Sequence, residues 1–141
     1  MDTPNEIRDL AALRLEEAEC LFQNGLCDGA FYLGGYAVEL AFKAKICECL
    51  NIDDFYAKHV PKTELSKVFM VHNLDRLMVL SGTFTDLVAE KETNPQLAKA
   101  WSAVISWNEK ARYDKRNSHL ETDVKDFLAS VRFIMQWIKQ H

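Results

Sequence analysis

The stretch WNEKARYDKRNSHLE, residues 107–121, holds the side chains with the most distinctive chemistry in this chain. Within it, six residues separate Arg112 from His119. An arginine fork can hold a phosphate through two hydrogen bonds, and a histidine can accept and release protons near neutral pH. Cleavage of RNA by its own 2′-hydroxyl needs proton transfer at two oxygens and charge stabilisation of the phosphorane. The pair therefore predicts a phosphodiester-cleaving site that requires neither metal nor cofactor.

Further cations and an aromatic ring in the same stretch could bind a nucleic acid or a nucleotide. Lys110, Lys115 and Arg116 would attract a phosphate backbone, and Tyr113 could stack on a base. The alternative is a solvated junction between two helices. Because the whole chain has a net charge of -4, any affinity for RNA must come from this local patch.

Length and composition indicate one globular domain over residues 1–141. Of the 141 residues, 48% are hydrophobic and 27% are charged, as in proteins that bury a core. The chain shows no export signal and no run long enough to span a membrane, so we expect a cytoplasmic protein. The four cysteines form no CxxC pair and are expected to be free thiols, which leaves no metal site.

Apolar residues at three- and four-residue spacing predict an all-α protein. Asp28 is expected to cap the helix that begins near residue 28. The helix over about 94–111 is expected to place Leu97, Trp101, Val104 and Ile105 on its inward face. Short linkers at 24–27 and 112–121 favour an antiparallel up-and-down bundle of about four to five helices. The predicted helices cover about 5–23, 28–50, 73–81, 94–111 and 121–140, with short helical pieces near 52–57 and 62–70.

Three polar residues outside the basic stretch could support a site or the bundle. Glu39 and Lys43 lie one turn apart on the most apolar helix, where they can form a surface pair, hold the bundle together or line a cleft. His72 precedes a helix start, so it can cap that helix or reach back across the bundle. On the same apolar helix, Gly34 and Gly35 predict close approach by a neighbouring element.

Three fragments occur in one order along the chain: AFYLGGYAVELAFKAKI, then HNLDRL, then WNEKARY. This order resembles the HEPN family, a group of helical bundles often found with nucleotidyltransferase-like partners. The resemblance covers nearly the whole chain, from about residue 8 to 138. It implies an up-and-down bundle that commonly forms homodimers.

Many HEPN proteins are metal-independent endoribonucleases, marked by an arginine, a short spacer and a histidine. The spacing of Arg112 and His119 matches that pattern at its upper limit. The resemblance implies that Arg112 stabilises the phosphate and that His119 is the general acid-base, at a dimer cleft where two copies face each other. Glu39, Lys43 and His72 would then be supporting residues.

Tyr113 is a departure, because the residue after the family's arginine is commonly Asn, Asp or His. The pair Arg-Tyr is also typical of HEPN members that are non-catalytic or bind nucleotides. Three interpretations therefore stay open. In the first, the protein is a toxin-like endoribonuclease. In the second, it is a non-catalytic toxin–antitoxin module that binds a nucleotidyltransferase partner or a nucleotide. In the third interpretation it is a structural homodimer with Trp101, Trp107 and the last helix at the interface.

Overall fold

A computed structural model of the chain describes residues 3–51 and 70–141. All regular structure within these ranges is helical, which confirms the all-α prediction. The short helical pieces expected near 52–57 and 62–70 fall, apart from Met70, outside the described residues. The elements are α1 (Pro4–Gln23), α2 (Cys27–Leu50), α3 (Leu74–Leu80), α4 (Phe84–Thr93), α5 (Pro95–Val104), a 3-10 helix (Glu109–Tyr113) and α6 (Glu121–Gln140).

Local sequence signals fix both ends of α1. The Thr3 side chain accepts a hydrogen bond from the Glu6 amide, the Glu6 carboxylate accepts one from the Thr3 amide, and proline occupies the first helical position. After the helix ends, Gly25 has a φ of 76°, a conformation that costs glycine little. The chain then turns directly into α2, against which α1 packs.

The central helix is α2, which is buried along most of its length and contacts α1, α3, α6 and the 3-10 helix. Its two adjacent glycines lie against large side chains. A Cβ atom on Gly35 would lie 2.2 Å from the Trp107 indole, and one on Gly34 would lie 2.7 Å from Leu128 Cδ2. The predicted close approach at the glycines is confirmed, and it comes from two separate segments.

The predicted inward face of the helix over 94–111 is largely correct. Leu97, Trp101 and Val104 are buried, whereas Ile105 is partly exposed because the helix ends before it. Trp101 and Trp107 are buried inside the single chain. They are therefore not available as the exposed interface that the structural-homodimer interpretation required.

The prediction of one helix over 94–111 was wrong, because α5 ends at Val104. The Trp107 side chain turns into the core against Gly35. The Ser106 hydroxyl donates to the Ala103 carbonyl at 2.6 Å, and the Asn108 side chain accepts from the Lys110 amide. These bonds satisfy backbone groups locally and restart the chain as a 3-10 helix.

The helix α4 was not predicted. It follows Gly82, which has a φ of 78°, and Leu87 is its one buried residue. The apolar residues Phe84 and Val88 are exposed, so the helix shows little of the periodicity that identifies an amphipathic helix.

Along the described ranges, no helix is both long enough and apolar enough to cross a membrane.

Candidate functional site

The segment that follows α5 is attached to the start of α2 by one carboxylate. Asp28, in the first turn of α2, accepts hydrogen bonds from the backbone amides of Asn117 at 2.6 Å and His119 at 3.1 Å. Asn117 has a φ of 64°, a left-handed conformation that asparagine tolerates. The expectation that Asp28 caps α2 was therefore wrong, since Leu26 precedes the helix without a side-chain cap.

The His119 imidazole is held from two sides. Its Nε2 atom lies 2.7 Å from Asp114 Oδ2, and its ring stacks on Phe31 of α2 with ring centroids 4.1 Å apart. With Nε2 on the carboxylate, Nδ1 forms no hydrogen bond to any residue of the described ranges. A carboxylate that accepts from one ring nitrogen favours the tautomer in which the other nitrogen is a proton acceptor.

Arg112 lies at the end of the 3-10 helix and is exposed. Its guanidinium lies 4.8 Å from the centroid of the Tyr113 ring, a cation–π contact, and the Tyr113 side chain is 74% exposed. No ion pair or hydrogen bond joins Arg112 to His119 among the residues that the structure describes. The structure thus places both residues on one segment, with different immediate neighbours.

The other predicted contact residues of this segment, Lys110, Lys115 and Arg116, are all exposed. Together with Arg112 they give four cations between residues 110 and 116, against Asp114 as the one acidic residue. Because Asp114 is already paired with His119, the outer surface of the segment is electropositive. This segment, residues 110–119, is called the basic segment below.

The three supporting residues predicted from sequence come together elsewhere, at a buried cluster on α2. Glu39 is 1% exposed and Lys43 is 3% exposed, with Lys43 Nζ at 3.2 Å from Glu39 Oε2. The other carboxylate oxygen of Glu39 lies 3.0 Å from Nδ1 of His72. His72 therefore reaches back across the bundle, while Asn73 caps α3 by accepting from the Arg76 amide.

A phenol next to the cluster, that of Tyr36, has a raised pKa. Burial raises the pKa of Tyr36 above its ordinary value, and the negative charge of Glu39 raises it further. Tyr36 also stacks on Tyr32, with ring centroids 6.2 Å apart. Because Glu39 and Lys43 are both buried, the cluster has the character of a structural ion pair, with His72 at its solvent edge.

Sequence patterns did not identify three residues that contact His119. Asp114 lies on the same segment, and its position five residues before the histidine could have marked it. Asp28 and Phe31 lie on α2, far away in the sequence, so only the packing of the segment on α2 reveals them. The contacts of all three residues hold His119 in place and do not involve Arg112.

Across residues 3–51 and 70–141, no cluster of histidine, cysteine, aspartate or glutamate could hold a metal ion. The cysteines Cys20, Cys27, Cys47 and Cys49 form no disulfide. Comparisons with protein-family models, with curated proteins and with solved structures found no match to this chain.

Proposed function

We propose that the protein is an RNA-cleaving enzyme of the HEPN type, with the basic segment as its active site. The observation that carries this proposal is the His119 imidazole, fixed between Asp114 and Phe31 on an exposed, electropositive segment. An Asp–His pair is a common arrangement for proton transfer, because the carboxylate orients the ring and stabilises its protonated form. Neither a metal nor a cofactor takes part.

In this proposal Nδ1 of His119 accepts the proton of the RNA 2′-hydroxyl as the 2′-oxygen attacks the adjacent phosphorus. The bond from phosphorus to the 5′-oxygen breaks, and that oxygen takes up a proton from a second histidine, which acts as the general acid. The products are a 2′,3′-cyclic phosphate and a 5′-hydroxyl. Arg112, which has no carboxylate partner in the described part of the chain, would stabilise the negative charge on the phosphorane.

Two proton transfers on opposite sides of one phosphate favour two histidines. One protomer supplies His119 alone in this segment, so we propose a homodimer in which two basic segments face one another. The bundle in this proposal is antiparallel and up-and-down. The contact of Arg8, near the start of α1, with Glu48, near the end of α2, supports that arrangement for the first two helices.

The test is cleavage of single-stranded RNA by purified protein in the presence of EDTA. His119→Ala should reduce the rate at least about a hundredfold, the range that a general acid-base commonly contributes. His141→Ala is the matched control, because His141 also stacks on an aromatic ring, at 4.1 Å from Trp137, and also pairs with a glutamate, Glu90. Full activity in His119→Ala protein with unchanged helical content would refute the proposal.

A second candidate function is non-catalytic binding of a nucleotide or of a nucleotidyltransferase partner, as in a two-gene toxin–antitoxin module. The exposed Tyr113 ring, with the Arg112 guanidinium beside it, favours this function because a base can stack on such a platform. It predicts no RNA cleavage, a stable complex with the product of a neighbouring nucleotidyltransferase gene, and loss of binding in Tyr113→Ala.

A further inference from the structure

A groove of about 360 Å³ lies between α1, α2 and α6, and none of the residues of the basic segment or of the Glu39 cluster lines it. A second hollow of about 240 Å³ shares Arg8, Ala41, Ile138 and Lys139 with it, so the two are adjacent. The size of the first groove is by itself in the range of small-molecule sites. The apolar floor consists of Ala11, Ala12, Leu15, Ala41, Met135 and Ile138.

The rim of the groove is positively charged, although the whole protein is acidic. Arg8 and Lys45 share one carboxylate, that of Glu48, and Arg132 pairs with Glu19 at 2.8 Å. Lys139 also lines the groove, and it has no ion pair or hydrogen bond with any residue that the structure describes. The groove therefore offers an apolar floor and one ammonium group that is not neutralised.

We propose that this groove binds a small anionic amphiphile with one short aliphatic chain and one carboxylate. The aliphatic chain would lie on the apolar floor, where burial of methylene groups is favourable. The carboxylate would pair with Lys139, and the exposed Gln136 amide next to it could donate a second hydrogen bond. A single charge fits best, because the two arginines of the rim already hold carboxylates.

Titration calorimetry with octanoate, kept below its micelle concentration, tests the ligand class. We expect saturable binding of one octanoate per chain, and affinities at least about tenfold weaker for 1-octanol, which lacks the charge, and for acetate, which lacks the chain. Equal affinity for octanoate and 1-octanol would overturn the assignment of the carboxylate to Lys139. Absence of saturable octanoate binding would overturn the proposal as a whole.

Variants then test the location. Lys139→Gln should weaken octanoate binding about tenfold, and Ala12→Phe, which places a ring in the groove from an exposed position of α1, should weaken it at least as much. Lys125→Gln is the matched control, because it removes an exposed charge from the same helix at a position outside the groove. Equal affinities for Lys139→Gln and Lys125→Gln would contradict this site.

Two further measurements keep these outcomes interpretable. The helical content and the thermal unfolding of each variant show whether a loss of binding reflects loss of fold. Sedimentation with and without octanoate shows whether another copy of the chain covers the groove. A dimer that Ala12→Phe dissociates, together with absence of octanoate binding, would assign this face to an interface and overturn the small-ligand proposal.

Discussion

The carboxylate of Asp28 accepts a hydrogen bond from the backbone amide of His119 at 3.1 Å and so joins the start of α2 to the basic segment. Its second oxygen accepts from the Asn117 amide at 2.6 Å. Both bonds are charge-assisted, and such bonds are stronger than those between neutral groups. The position of the imidazole therefore depends on a residue that takes no part in the proposed chemistry.

Asp28→Asn should loosen the segment without unfolding the bundle, because asparagine replaces one acceptor oxygen with an NH2 donor. We expect the Asn117 and His119 amides to exchange with deuterium about tenfold faster, and RNA cleavage to decrease in parallel. Asp123→Asn, which removes an exposed charge from the first turn of α6, is the control. Unchanged exchange at both amides would show that Asp28 does not hold the segment.

Glu39→Gln tests whether the buried cluster stabilises the fold. Removal of one partner from a buried ion pair commonly costs about 3–5 kcal/mol, because the remaining charge stays away from water. We expect a loss of that order in urea unfolding. The control is Glu19→Gln, whose exposed pair with Arg132 should contribute under about 1 kcal/mol.

The double variant Glu39→Leu with Lys43→Met separates charge from packing. Because it removes both charges of the pair, it should be more stable than Glu39→Leu alone. Equal stability of the single and double variants would mean that the cost of Glu39→Leu does not come from the charge of Lys43.

Gly35→Ala should destabilise the protein by about 1–3 kcal/mol or more, because the added methyl group would meet the buried Trp107 indole at 2.2 Å. Gly29→Ala is the matched control on the same helix. There the new Cβ would lie 3.1 Å from the end of the Leu21 side chain, which can move, and alanine gains up to about 1 kcal/mol of helix propensity. Thermal unfolding should therefore separate the two variants clearly.

Tyr36→Phe should change the response of stability to alkaline pH. Since the pKa of Tyr36 is raised in the folded protein, the unfolded chain loses this proton first, from about pH 10 upward. The contribution of Tyr36 is thus fully present below that pH and is lost as the pH rises through the folded pKa. We expect the free energy of unfolding of Tyr36→Phe to fall less steeply than that of the wild type above about pH 10. Parallel curves would contradict this.

Elements with local signals could be predicted from sequence, and elements that depend on distant contacts could not. The Thr3–Pro4 start and the Gly25 stop of α1 are close in sequence to the helix ends that they mark. The helix α6 carries a broad apolar face. The early end of α5 depends on Trp107, whose burial against Gly35 cannot be seen from the residues around it. The helical periodicity before Trp107 therefore led to a helix that was too long.

The same distinction applies to the candidate site. The chemistry of Arg112 and His119 and the charge of their neighbours could be proposed from residue types alone. The contacts of His119 with Phe31 and Asp28 depend on how the segment packs on α2. Likewise, the spacing of Glu39 and Lys43 predicted a pair, and only the packed bundle shows that it is buried and that His72 joins it.

The burial of all three tryptophans, Trp101, Trp107 and Trp137, has a spectroscopic consequence. Their fluorescence emission should shift to longer wavelength when the bundle unfolds, so it can report on the folding of every variant. None of them lies on the exposed surface of the basic segment, where Tyr113 is the aromatic side chain. Binding of RNA to that surface is therefore best followed through a dye on the oligonucleotide. Tryptophan fluorescence then remains an independent signal of folding.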